Sequence, residues 1–176
     1  MSTNTKLYSY SFSSVKTYVF AMLFVAGNLI LPQVAHVVPN GGPTLLPIYF
    51  FTLIAAYKYG LKTGLLTAIL SPVLNHLIFG MPVLAFLPVI LIKSTLLAIA
   101  AAYAAQYFQK ISIPILVLVV LSYQIVGTLV EWLIVQSFFV AVQDFRMGLL
   151  GMAVQVLGGY VILRLISKNE ERRAKS

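Results

Sequence analysis

The sequence predicts an all-α membrane protein, a six-transmembrane-helix bundle with both termini cytoplasmic. Three observations lead there. Hydrophobic residues fill 60% of the 176 positions and charged residues only 9%, with a mean hydropathy of +0.96. A soluble domain carries about 25% charged residues, so this chain has too little polar surface to face water. Apolar runs of spanning length alternate with short polar breaks, and the basic residues cluster in alternate breaks.

Residues 1–15, rich in Ser, Thr and Tyr, read as a flexible or interfacial tail. The transmembrane domain is expected over 16–166. Its first span runs from about Lys16 to Val34. It lacks a small-x-small cleavage site and stays apolar to Leu31, so it reads as a membrane helix and not as a signal peptide. The break Pro39-Asn40-Gly41-Gly42-Pro43 cannot stay helical. A second span, about Thr44 to Tyr59, is short for a hydrocarbon core of about 30 Å. A basic, glycine-flanked turn (Lys58, Gly60, Lys62, Gly64) leads into the third, about Leu61 to Phe79. The hairpin from Leu46 to Pro82 is the stretch around which the chain is organised.

The fourth span, about Val83 to Phe108, ends in an alanine-rich half. Ala98/Ala102 and Ala101/Ala105 are small residues four apart, which lets another helix approach closely. The fifth, about Ile111 to Phe139, is long. A loop around Gln143-Asp144-Phe145-Arg146 separates it from the sixth, about Met147 to Ile166. Residues 167–176 form a charged cytoplasmic tail, expected to fray.

Charge sets the orientation. Six spans put Lys6, Lys16, Lys58, Lys62, Lys110, Arg164, Lys168, Arg172, Arg173 and Lys175 on one side, ten of the 12 basic residues. Arg146 falls on the other side and Lys93 inside a span. The positive-inside rule makes the basic side cytoplasmic.

Lys93 and Glu131 are the charges that need an account, since each costs about 2.5–3.5 kcal/mol at mid-bilayer. Counted from the outer helix ends they lie roughly 15 Å and 12 Å deep, and Gln155 is at a similar depth. Two uses fit: a buried ion pair that holds helices together, or a pocket in which Lys93 meets an anionic group and Glu131 a donor or cation. Gln124, Thr128 and Glu131 share one face of the fifth span. Gly148, Gly151, Gln155 and Gly158/Gly159 form a small-residue stripe on the sixth. Asn75 and His76 lie near the outer end of the third. Trp132 is placed to stack on a planar solute or to sit in the interfacial belt. His36 and Asn40 lie on the first outer loop, long enough to act as a lid.

Other classes of function are disfavoured. The formal charge of +8 punctuates apolar runs and builds no aromatic-interleaved basic patch, so nucleic acid is not an expected partner. There is no cysteine, and two distant histidines do not make a metal site; no cofactor is expected. No GxxxxGK[ST], HExxH or GxSxG motif occurs, and neither Ser71 nor Ser122 has an evident base, so the chain is not expected to be an enzyme.

The run Tyr57-Lys58-Tyr59-Gly60-Leu61-Lys62-Thr63-Gly64, the stretch Ser71 to Pro82, the long first outer loop and six short helices together resemble the substrate-binding S components of energy-coupling factor (ECF) vitamin transporters. The likeness spans about Lys16 to Ile166 and rests on helix pattern more than on single residues. It implies a subunit of the prokaryotic cell membrane that captures a small-molecule micronutrient in an outer-half pocket, formed by the last three helices and the outer loops. Lys93, Glu131, Trp132 and Gln155 fall on those helices. It also implies a transmembrane coupling subunit and two ATPase subunits as partners. In the family the coupling subunit docks on alanines four apart on the first helix. Here Ala21, Ala26 and Gly27 are small, but Val25 stands four after Ala21, and the alanines of the fourth span offer a second small-residue surface. The alternative is a non-transporting membrane scaffold or assembly subunit built on a similar bundle; a small stand-alone facilitator is a third possibility.

Overall fold

The computed structural model describes residues 3–4 and 7–175, with side chains from 7 to 173. Lys6 and the Lys175 side chain, both counted in the basic set, lie outside the described residues, as do Met1, Ser2, Thr5 and Ser176. The order is β1 (Thr3–Asn4), α1 (Val15–Ala35), α2 (Gly41–Leu45), a 3-10 turn (Pro47–Tyr49), α3 (Phe50–Tyr59), α4 (Leu61–Phe79), α5 (Leu87–Phe108), β2 (Lys110–Ile111), α6 (Ile113–Val135), α7 (Phe138–Met147) and α8 (Leu149–Lys175). Five helices, α1, α4, α5, α6 and α8, are long and apolar enough to cross a membrane. The protein is an all-α, multi-pass membrane protein.

The expected second span is the main correction. Pro47 disfavours right-handed helix at the residue before it, and Leu46 sits at φ +47°. The segment therefore breaks into α2, the 3-10 turn and α3. Nine of the ten α3 residues are buried, because α1, α4, α5 and α8 all pack on it. This helix is the centre of the bundle, so its apolarity serves protein contacts on every side. A Cβ on Gly64 would lie 2.4 Å from the Ala56 Cβ, so glycine is what lets α4 approach α3 at that point.

A buried amide fixes α1 against this centre. The Asn28 Nδ2 donates to Thr52 Oγ1 at 3.1 Å and to Ser71 Oγ at 3.0 Å, and its Oδ1 accepts the Phe51 N–H at 3.1 Å. Phe51 lies in the first turn of α3, where backbone N–H groups lack intrahelical partners. The sequence reading did not single out Asn28.

Four further boundaries differ. The fifth span stops at Val135, where Gln136 takes φ +53° and its N–H caps the helix on Trp132 O at 2.8 Å. The expected loop at 143–146 lies instead within the helix α7. The fourth span begins at Leu87, after a short turn from Val83. The tail expected to fray is helical to Lys175.

Buried Lys58 explains that last result. Its Nζ pairs with Glu170 at 2.8 Å and donates to Ser167 Oγ at 3.2 Å. The N-terminal segment joins the same cluster and is not a loose tail. The Tyr8 N–H bonds Lys58 O at 2.9 Å, Tyr8 and Tyr10 stack near Tyr59, and β1 pairs with β2 through Thr3 and Ile111. Lys58 was expected only as a loop charge; it is a structural post between both ends of the chain.

Candidate functional site: a charged cavity between the helix ends

A cavity of about 510 Å³ opens at the end of the bundle opposite Lys58. Its wall comes from the end of α1, the α2 to α3 connection, the end of α4, the 81–86 turn, the first half of α5, the end of α6, and α7. Every one of these pieces ends or breaks here, so the bundle leaves a gap where the helices stop packing on α3.

Three charges line it. The Lys93 Nζ donates to Glu131 Oε2 at 2.6 Å and also to Asp144 Oδ2. Lys93 is 1% exposed and Glu131 4%, while the Asp144 side chain is 30% exposed. Lys93 reaches Glu131 by lying across α6 at Gly127, where a Cβ would come within 2.6 Å of Lys93 Cγ. The cluster thus ties α5, α6 and α7 together. Most of the remaining lining is apolar, including Ile48, Phe86, Val89 and Val140.

The sequence-derived pocket residues sort into two groups. Lys93, Glu131, Asn75 and His36 line the cavity. Asn75 is already engaged: its Nδ2 donates to Asn28 O at 2.8 Å and Ser71 O at 3.0 Å, and Gln33 approaches its Oδ1 at 3.5 Å. It positions the wall. His76, Asn40, Gln124, Gln155 and Trp132 do not line the cavity. His76 Nδ1 bonds Pro82 O at 2.8 Å and holds the 81–86 turn; Asn40 is exposed at φ +56°. Trp132 is 42% exposed and meets Phe138 edge-on, turned away because its neighbour Glu131 takes the inward face. Gln155 is bonded to Tyr123 OH at 3.1 Å inside the bundle. Gln124 is buried beside it in sequence, and both of its amide atoms lack a hydrogen-bond partner among the described residues, as do Ser94 Oγ, Thr128 Oγ1 and Gln155 Nε2.

The small-residue surfaces face inward. The glycines of α8 pack on the α2 to α3 segment, with Gly151 against Leu45 and Gly158 against Phe50. The α5 alanines Ala98, Ala101, Ala102 and Ala105 are buried. On α1, Ala21 is buried and Gly27 is covered by the Phe51 ring, and only Ala26 faces out. A docking face made of Ala21, Ala26 and Gly27 is therefore not presented, since two of the three serve internal packing.

Asp144 is the site residue that sequence reasoning missed, because it was placed in a loop. Among the described residues no group of three His, Asp or Glu side chains is placed to hold a metal ion.

Fold and site together define a multi-pass helical membrane protein with a charged, mostly apolar-walled cavity at one end. No family model, characterised protein or solved structure matches the chain.

Proposed function

We propose that this chain is the substrate-capture subunit of an ECF-type importer, binding a small water-soluble vitamin or precursor at the outer face of a prokaryotic cytoplasmic membrane. Separate coupling and ATPase subunits would power uptake. The observation that carries the reading is the cavity: about 510 Å³, within the ~300–1,000 Å³ usual for small-molecule sites, and lined by intramembrane charges that default to function. In this reading the α2 to α3 segment makes a sixth crossing. The basic end then faces the cytoplasm and the cavity faces outward.

The competing scaffold reading draws on one fact, that Lys93 is already paired within the chain. It gives no role to the open cavity beside the pair. The test is mass spectrometry of small molecules released on denaturing the detergent-purified protein, produced in medium containing the common vitamins. One stoichiometric compound is expected. Empty protein would move the assignment to the scaffold.

A further inference from the structure

We infer that the cavity takes a small organic monocation with an apolar body, held by the free oxygens of Glu131 and Asp144; this rests on the capture reading above. The count of charges comes first. One lysine faces two carboxylates, which leaves an excess of one negative charge. His36 and Tyr49 also line the cavity, and neither adds a carboxylate, a lysine or an arginine to the count. Arg146 is exposed and is not part of the wall.

The count of hydrogen bonds points the same way. Lys93 occupies Oε2 of Glu131 and Oδ2 of Asp144. Oε1 of Glu131 and Oδ1 of Asp144 receive no hydrogen bond from any described residue. Glu131 lines the cavity, and its carboxylate takes one hydrogen bond, from Lys93, so Oε1 can accept another. An ammonium, amidinium or protonated heteroaromatic N–H would supply that further donor and cancel the excess charge. An anion would meet two carboxylates and a lysine already engaged by both. This reverses the role expected for Lys93 as the receiver of an anionic group. Beside the charges, Ile48, Phe86, Val89 and Val140 line the same cavity and suit an apolar body.

The test compares full-length wild type with Asp144→Asn and Glu131→Gln, purified in detergent. Released compounds are identified and their retention is quantified. A compound cationic at pH 7 is expected, with retention lower by about tenfold or more in Asp144→Asn, the scale of one charge-assisted hydrogen bond. Helical circular dichroism and size exclusion check folding, and the partly exposed Asp144 is the milder change. A neutral or anionic compound overturns the monocation and leaves the capture reading standing. Full retention in both variants also overturns it. Wild-type protein that carries no compound overturns the capture reading and the inference with it.

Discussion

Replacing Lys93 with methionine keeps most of its stem and removes its charge, so it isolates what the ammonium does. Glu131 is 4% exposed and cannot turn to water. Asp144, with 30% of its side chain exposed, can, so its share of the loss is small. At the observed 2.6 Å and an effective dielectric of about 20, the Lys93–Glu131 attraction is about 6 kcal/mol before desolvation. Desolvation of both ions offsets much of that. Removing one member of a buried pair then costs about 3–5 kcal/mol. The double change Lys93→Met with Glu131→Gln leaves only the partly exposed Asp144 without its cation and is expected to cost only about 1–2 kcal/mol. The double variant should therefore be the more stable by about 2 kcal/mol. Titration with SDS in mixed micelles reads this difference, followed by helical circular dichroism and by the fluorescence of Trp132, the chain's one tryptophan. A double variant no more stable than Lys93→Met alone would refute the claim that Lys93 compensates a buried Glu131 charge.

The remaining predictions concern packing. Gly64→Ala places a Cβ 2.4 Å from the Ala56 Cβ and 2.7 Å from its Cα; overpacking of about 1–3 kcal/mol should outweigh a helix-propensity gain of about 1 kcal/mol, lowering the SDS midpoint. Asn28→Leu strips partners from the Phe51 N–H, Thr52 and Ser71, each loss worth about 1–3 kcal/mol, and should destabilise more than Gly64→Ala in the same titration. Lys58→Met should leave the bundle's midpoint closer to wild type than Asn28→Leu does, because Glu170 is 32% exposed and can be hydrated. Its signature should be faster tryptic cleavage at Lys168 and Arg172, read by mass spectrometry, as the end of α8 opens locally. Unchanged cleavage would show that Lys58 does not anchor that end.

Much of the bundle is legible in the sequence because a bilayer imposes length and apolarity on each lipid-facing helix. The first and third spans, expected at about 16–34 and 61–79, are observed at Val15–Ala35 and Leu61–Phe79. The rule fails for α3, which meets protein on nearly every side and is freed from the length constraint. Pro47 was the visible sign that the run from Thr44 could not be one helix. The overlong fifth span failed for a related reason. Gln136-Ser137 is a two-residue polar step inside an apolar run, and hydropathy averages across it. The C-terminal tail was misread because its charge was taken to mean solvent. Lys58 pairs with Glu170 over 112 residues of sequence separation, which no local window reports.

The site shows how acidic residues could have been used better. The chain has four of them: Glu131, Asp144, Glu170 and Glu171. With so few, each has some chance of answering a buried cation, and Lys93 lies on a membrane helix where an unpaired charge is costly. Glu131 was matched to it by depth. Asp144 was set aside because depth was counted along a straight fifth span with a loop beyond. Once the helix stops at Val135, the chain returns as α7 and carries Asp144 back over the helix ends to Lys93. A second acid on the same lysine means that two carboxylates share one ammonium at the cavity wall, where the sequence had suggested one of each. The sign of the site thus depends on a helix boundary, fixed here by Gln136 in a left-handed conformation, and neither composition nor periodicity resolves a boundary that finely.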